Sequence, residues 1–166
     1  SYAEQIINFT FPHVGNVGTN KEDQESDRVW TKGIILNTEI SDPSNYRAIK
    51  HFDLWLKKNQ IVGIVGIDTR SLTNFIRDRG APKGTIAFSK NGKFNINELM
   101  NSTNRWGGLK NLDLAQKVST TKNYIWKGFK TWKKKEGYLK NKKKSLHVVA
   151  IDYGIKKNIL RYFSDF

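Results

Sequence analysis

The 166 residues carry 29 basic against 15 acidic side chains, a formal net charge of +14, with 37% hydrophobic and 12% aromatic content. That length holds one domain, or one domain and a piece of another. The absence of cysteine excludes a disulfide framework, a thiolate metal site and a cysteine nucleophile within these residues, and no run approaches the ~18 apolar residues of a membrane span.

Ser1 stands first in place of methionine, and Gln5 to Phe11 already reads as a strand through Ile6, Ile7, Phe9 and Phe11. The far end stops inside an apolar helical face, so a piece cut at both ends is expected. No signal-peptide pattern opens the chain, and the lack of cysteine fits a reducing, cytoplasmic compartment. Phe11 to Gly18 (FPHVGNVG) is a loop with one proline and two glycines. Asn20 to Asp27 is acidic and reads as a short helical turn. Val29 to Asn37 resumes strand character through Val29, Trp30, Ile34, Ile35 and Leu36. Ser41 to Asn45 is turn-like, and Ser44 or Asn45 is placed to cap a helix running to about Asn59. Phe52, Trp55 and Leu56 fall at helical spacing on its apolar face, with Trp55 read as core. His51, Lys57 and Lys58 read as its solvated side.

Ile61 to Gly80 gives the strongest structural signal. Ile61, Val62, Ile64, Val65 and Ile67, broken by Gly63 and Gly66, predict a strand buried on both faces. Asp68 and Thr69 offer oxygens to the free N–H groups of a helix's first turn. Leu72, Phe75, Ile76 and Arg79 follow at helical spacing, and Gly80 supplies the stop.

Lys83 to Ser89 is the next expected strand, and Asn91-Gly92 predicts a tight turn. Ile96 to Met100 reads as a short helix, broken by Trp106-Gly107-Gly108. Leu112 to Val118 gives another helical turn, and Tyr124 to Trp126 a further strand. Lys127 to Ser145 holds nine lysines against one acid, Glu136. It reads as an exposed linker or a long hairpin. Leu146 to Ile151 forms a buried-type strand, Asp152-Tyr153-Gly154 a turn, and Ile155, Ile159, Leu160 and Phe163 a helical face packed on that strand. A parallel strand of this kind needs neighbours.

No complete catalytic constellation is present. His13, His51 and His147 are scattered, and no second ligand lies at metal spacing beside His13. Gly63 and Gly66 lack a full G-x-G-x-x-G and lie inside the strand, so no dinucleotide site is expected. Asp68 and Arg70 read as an active-site pair or, more simply, as a cap and a salt bridge. Trp126, Phe129, Trp132 and Tyr138 interleave with lysines, which suits a nucleic-acid surface. Against it stand 22 lysines and only 7 arginines, with 16 asparagines and 16 isoleucines, a pattern of AT-rich codons.

Four stretches, in order, resemble the small, glutamine-hydrolysing subunit of carbamoyl-phosphate synthase. They are Phe11 to Gly18; Gly66-Ile67-Asp68-Thr69-Arg70 with Leu72, Thr73, Arg77 and Gly80; Gly108-Leu109 with Asp113-Leu114-Ala115 and Val118; and Asp152-Tyr153-Gly154 with Lys156 and Asn158-Ile159-Leu160-Arg161.

The resemblance implies an α/β architecture. Residues 1–145 would be most of a three-layer β/β/α, swivelling-type N-terminal domain, with 127–145 a basic linker. Residues 146–166 would be the first strand and helix of a flavodoxin-like class I amidotransferase domain. The parent would release ammonia from glutamine and pass it to a large subunit. That partner would use ATP and Mg to make carbamoyl phosphate for arginine and pyrimidine synthesis. The family's cysteine, histidine and glutamate fall on no residue here, so no catalytic or metal residue and no cofactor is assigned, and these residues alone are expected to be inactive. One residue carries over: Ser1, followed by Tyr2 and Gln5-Ile6, matches a serine that contacts bound glutamine, as a hydroxyl suits both donor and acceptor groups. Neither membrane nor nucleic acid is an expected partner. The alternatives are a basic nucleic-acid-binding module and an inactive regulatory relative.

Overall fold

Ile34 on the middle strand of a parallel sheet and Leu36 just past its end are each only 2% exposed. The structure, a computed structural model, describes residues 2–127, 129–140 and 146–166. It is α/β, with small sheets, and divides into two units. One comprises Ser1–Asp23 and Val29–Leu112, the other Gln24–Arg28 and Asp113–Phe166.

In the first unit the sheet order is β1 (Ile6–Asn8), β2 (Gly33–Ile35), β3 (Val62–Ile64), all parallel. Ile34 stands opposite Ile7 on one side and Gly63 on the other. The link from β2 to β3 carries helix α1 (Phe52–Lys58), since parallel strands need a crossover. Leu56 of α1, 4% exposed, closes the core with Ile34 and Leu36. Phe9, Val14, Ile40, Phe52, Trp55 and Ile61 pack around them. Phe52 stacks on Trp55 with ring centroids 5.8 Å apart, which bears out the core role of Trp55.

Helix α1 starts later than expected. His51, not Ser44 or Asn45, is its N-cap, the ring Nδ1 accepting from the Asp53 N–H at 3.2 Å. Ser44 and Asn45 hold the preceding turn instead, Ser44 bonding to Asn16 and Asn45 accepting from the Arg47 N–H at 2.8 Å. Residues 20–27 form no helix either. The Asn20 side chain closes a turn by accepting from the Asp23 N–H at 2.8 Å.

β3 is not buried on both faces. It pairs only with β2 among the described residues, and Ile64 and Val65 are 42% and 43% exposed. The helix after it, α2 (Thr69–Arg79), follows its sequence signals. Asp68 accepts from the Ser71 N–H at 2.9 Å, and Gly80 at φ +79° ends the helix. Among the described residues, Lys83 to Ser89 joins no ladder. Ile86 lies instead over Gly33, where a Cβ would come within 2.7 Å of its Cγ2 and 3.1 Å of the Val62 carbonyl oxygen. Asn91-Gly92 turns as expected, the Gly92 N–H reaching the Ser89 oxygen at 3.3 Å. Helix α3 (Ile96–Arg105) outruns its predicted end at Met100 and stops at Trp106.

The second unit contains α4 (Leu114–Val118), capped by Asp113, and an antiparallel hairpin of β4 (Phe129–Lys133) and β5 (Gly137–Lys140). Of the two readings of the lysine-rich stretch, Phe129 to Lys140 takes the hairpin. Asn141 to Ser145 lie outside the described residues. Helix α5 (Lys157–Asp165) packs on β4. The Thr131 hydroxyl donates to Asp165 at 2.6 Å and the Trp126 indole to Ser164 Oγ at 3.1 Å. Tyr124 to Trp126 is not a strand, nor is Leu146 to Ile151. Leu146, Val149 and Ile151 are 84%, 80% and 77% exposed. Backbone in that stretch has no ladder to join among the described residues, and without one apolar composition alone makes no strand. The helix therefore packs on the hairpin rather than on that stretch, burying Leu160, Arg161 and Ser164 while Ile159 and Phe163 stay exposed.

The turn at Asp152 is built by its own carboxylate. Oδ1 accepts from the Gly154 and Ile155 N–H groups at 2.7 and 2.8 Å, and Oδ2 from the Tyr124 hydroxyl at 2.7 Å. Burial works against the charge, but these bonds outweigh it and hold the Asp152 carboxyl below its ordinary range. Burial and then the bond to Asp152 push the Tyr124 phenol up to about 12.

Two predictions follow from the packing and the turn. Leu56→Ala should cost about 2–4 kcal/mol in urea unfolding, while Leu54→Ala, at a side chain 58% exposed, should stay within about 0.5 kcal/mol. Because the Asp152 carboxyl is depressed in the fold, its stabilisation is present above the unfolded value near ~3.9 and disappears as pH falls through the folded value. Because the Tyr124 phenol is raised, its contribution is present below ~10 and is lost as pH climbs through about 12. Asp152→Asn should flatten the acid limb of a stability–pH curve and bring one tyrosine back toward pH 10 in an ultraviolet titration. A curve and titration identical to those of the parent protein would contradict both assignments.

Candidate functional site

In a parallel sheet the loops that leave the carboxyl ends of the strands converge, and that rim is where α/β sites form. Here the rim carries Phe9 to Gly18 after β1, Leu36 to Thr38 after β2 and Val65 to Asp68 after β3. It is cross-tied by hydrogen bonds. The Gly66 N–H reaches the Asn37 oxygen at 3.1 Å, the Asn37 amide reaches the Ile67 oxygen at 3.1 Å, and the Thr38 hydroxyl donates to the Pro12 oxygen at 2.6 Å. Asn8, the last residue of β1, donates to the Thr69 oxygen and to Thr73 Oγ1, both at 2.8 Å, tying the strand to the first two turns of α2. Its Oδ1 is buried and receives no donor among the described residues.

The glycines of the first loop serve packing. Gly15 has φ +101°, and a Cβ there would meet Ile40 Cγ2 at 2.5 Å; one at Gly18, φ +67°, would meet Ala48 Cβ at 2.6 Å. His13 is exposed, edge-on to the Phe11 ring at 5.9 Å. His51 spends Nδ1 on the α1 cap and lies 3.6 Å from Asp42. His147 lies in the exposed stretch after the hairpin. Among the described residues no three His, Asp or Glu side chains gather into a metal site.

Asp68 and Arg70 resolve as the simpler reading had it for Asp68. Backbone and side-chain hydrogen bonds from Ser71 hold the Asp68 carboxyl below its ordinary range, against a small burial penalty, and the Arg70 charge contributes least. A carboxylate whose oxygens serve a helix cap is a poor proton shuttle, so the rim is a scaffold. Ser1 lies outside the described residues. The turn that follows it has Tyr2 at φ +63° and Glu4 at φ +60° on either side of buried Ala3.

The aromatic side chains interleaved with the lysines pack within the second unit. Trp126 bonds to Ser164, Trp132 is half-buried, and the Tyr138 ring lies 4.2 Å below the Arg161 guanidinium carbon. They offer little of the open stacking face that single-stranded nucleic acid uses.

One constellation has no counterpart in the sequence reading. The Glu25 carboxylate accepts from the Asn158 N–H at 2.8 Å and pairs with Arg161 at 3.4 Å, while the Glu25 carbonyl accepts from the Lys157 N–H at 3.2 Å. Lys157 Nζ pairs with Asp27 at 2.7 Å. The only local hint is Lys156, the N-cap of α5, which supplies no side-chain bond. A helix start without a local cap calls for an acceptor from elsewhere, but nothing local names a residue 133 positions earlier.

The rim and the caps organise backbone, and the sequence brings no cysteine to them. Comparison with known proteins supplies what this geometry serves. The family described as carbamoyl-phosphate synthase small chain, CPSase domain, matches residues 1–86. The chain is 48% identical over 165 residues to the carbamoyl phosphate synthase small chain of Bradyrhizobium diazoefficiens, covering 97% of this chain and 41% of the relative. It is 50% identical over 166 residues to that of Bartonella henselae, with the same coverage, and 46% identical over 162 residues to that of Zymomonas mobilis, covering 43% of the relative. The chain thus spans about two fifths of the length of these relatives. It belongs to the carbamoyl-phosphate synthase small chain family.

Proposed function

We propose that these residues form the front part of a glutaminase subunit that feeds ammonia to a large, ATP- and Mg-using partner for carbamoyl phosphate synthesis, in the cytoplasm, for arginine and pyrimidine production. The observation that carries this reading is near-half identity over 97% of the chain to proteins bearing the small-chain name. Within it, residues 1–145 serve as the β/β/α domain that helps dock the large subunit. Residues 146–166 contribute the first strand and helix of a flavodoxin-like amidotransferase domain. The exposure of apolar Leu146, Val149 and Ile151 supports that assignment, because such side chains ordinarily line a sheet.

The chemistry divides accordingly. The nucleophile is a cysteine that these residues do not contain; this chain's own contribution to substrate is the Ser1 hydroxyl, held against the polar head of glutamine. A single hydrogen bond to a charged group is worth ~1.5 kcal/mol or more, about tenfold in binding.

The intact gene product, expressed with its large partner, should hydrolyse glutamine. Ser1→Ala should raise KM for glutamine about tenfold and change kcat less than about twofold. An unchanged KM would remove Ser1 from the site. Failure of the intact complex to release ammonia from glutamine would sink the glutaminase reading itself.

A further inference from the structure

The turn at Asn91-Gly92 joins the stretch that carries Ile86 to helix α3, within the first unit. Of the 16 asparagines in the chain, Asn91 is the one followed by glycine. An asparagine is chemically labile because the next backbone nitrogen can attack its side-chain amide carbon. A side chain on the following residue hinders that attack, and glycine has none. Asn91 and Gly92 are exposed, and apart from chain neighbours no described atom lies within 4 Å of the place a Gly92 Cβ would take. The reacting nitrogen and water both have room.

The turn also prepares the amide. Asn91 Oδ1 accepts from the Ser89 hydroxyl at 2.6 Å and from the Lys93 N–H at 3.1 Å. The bond from the amide two residues on swings the side chain over its own C-terminal peptide, toward the Gly92 nitrogen. The same two donors answer the negative charge that grows on Oδ1 when that nitrogen adds to Cγ. Lys90 and Lys93, both exposed, flank the pair with further positive charge. Asn101 is also followed by a small residue, Ser102, but it lies inside α3, where the helix ladder holds the next nitrogen.

We propose that Asn91 is a site of self-modification in the folded protein, converted through a cyclic imide to aspartate and isoaspartate with the help of the Ser89 and Lys93 donors. The Gly92 nitrogen forms a bond to Asn91 Cγ. The bond from Cγ to the amide nitrogen breaks, and that nitrogen leaves as ammonia with the proton Gly92 gives up. Water then opens the ring. Attack at Cγ leaves aspartate, and attack at the Asn91 main-chain carbonyl leaves isoaspartate, with the chain routed through the former side chain. Either product places a negative charge between Lys90 and Lys93. Isoaspartate also lengthens the backbone by a methylene group. That draws the Gly92 N–H away from the Ser89 oxygen, which it reaches at 3.3 Å, and loosens the link into α3. This chemistry is independent of the glutaminase reading and uses no residue assigned to it.

Peptide mapping after the intact protein has stood in mildly alkaline buffer tests it. Chymotryptic cleavage after Phe88 and Phe94 isolates Ser89 to Phe94, in which Asn91 is the sole asparagine. That peptide should gain the mass difference between amide and acid and become a substrate for an isoaspartyl methyltransferase. Conversion at Asn91 should outpace conversion at Asn101 at least about tenfold. Ser89→Ala removes one donor from Oδ1 and should slow the native reaction about fivefold. Ser89→Thr keeps the hydroxyl and should restore the rate. In urea the turn is gone, and there Ser89→Ala should change the rate less than about twofold. An Asn91 that stays an amide in the folded protein while it converts in urea would overturn the proposal. So would equal native rates in Ser89→Ala and the parent protein.

Discussion

Burial beneath Leu56 of Ile34, on a strand with a parallel neighbour on each side, and of Leu36 just past that strand's end is the constraint from which the first unit follows. Parallel pairing forces a crossover, and the crossover supplies α1 with its Phe52, Trp55 and Leu56 face. Close approach forces Gly33, since both Ile86 and the Val62 carbonyl crowd the place a Cβ would take. The same sheet leaves β3 at its edge, which is why a run of β-branched residues that reads as fully buried is half open. Burial belongs to position in the sheet, and composition only makes a strand eligible for it.

In the second unit the ordering principle is electrostatic. Its helix α5 buries Arg161 together with Leu160 and Ser164. A guanidinium can be enclosed only where its donors are met and its charge is answered. Glu25 and Asn158 answer Arg161 from the side, and the Tyr138 ring answers it from the face. The aromatics of the lysine-rich stretch are thereby drawn into packing. Among the described residues, Lys133, Lys134, Lys135 and Lys140 stay exposed on the hairpin, which fits an AT-rich codon bias at least as well as a dedicated anion site.

The rim of the parallel sheet shows how a family signature can be structural. Gly66 to Arg70 looks like a site, with an acid, a hydroxyl and a base in succession. In place, the acid caps α2, the hydroxyl-bearing Thr69 is buried at 2% exposure and offers its carbonyl to Asn8, and the base is exposed. These residues hold the end of a strand against the start of a helix. Their chemistry is that of a scaffold, consistent with a chain that spans about two fifths of its relatives.

The sequence by itself determined the features whose physics is local. Asp68 and Gly80 bound α2, Asn91-Gly92 turns, Asp152 folds its own loop, and the apolar spacing of Phe52, Trp55 and Leu56 makes α1 face inward. Each rests on groups a few residues apart, so each is legible in order along the chain. The family was legible for the same reason, through four short motifs in sequence. Tertiary structure alone decided which strands pair, that among the described residues β3 is an edge and Leu146 to Ile151 joins no sheet, and that His51 rather than Ser44 or Asn45 starts α1. It alone set Glu25 against Arg161. Those outcomes depend on partners dozens of residues away, and the free energy of a contact across that separation is written in neither of the two segments taken singly.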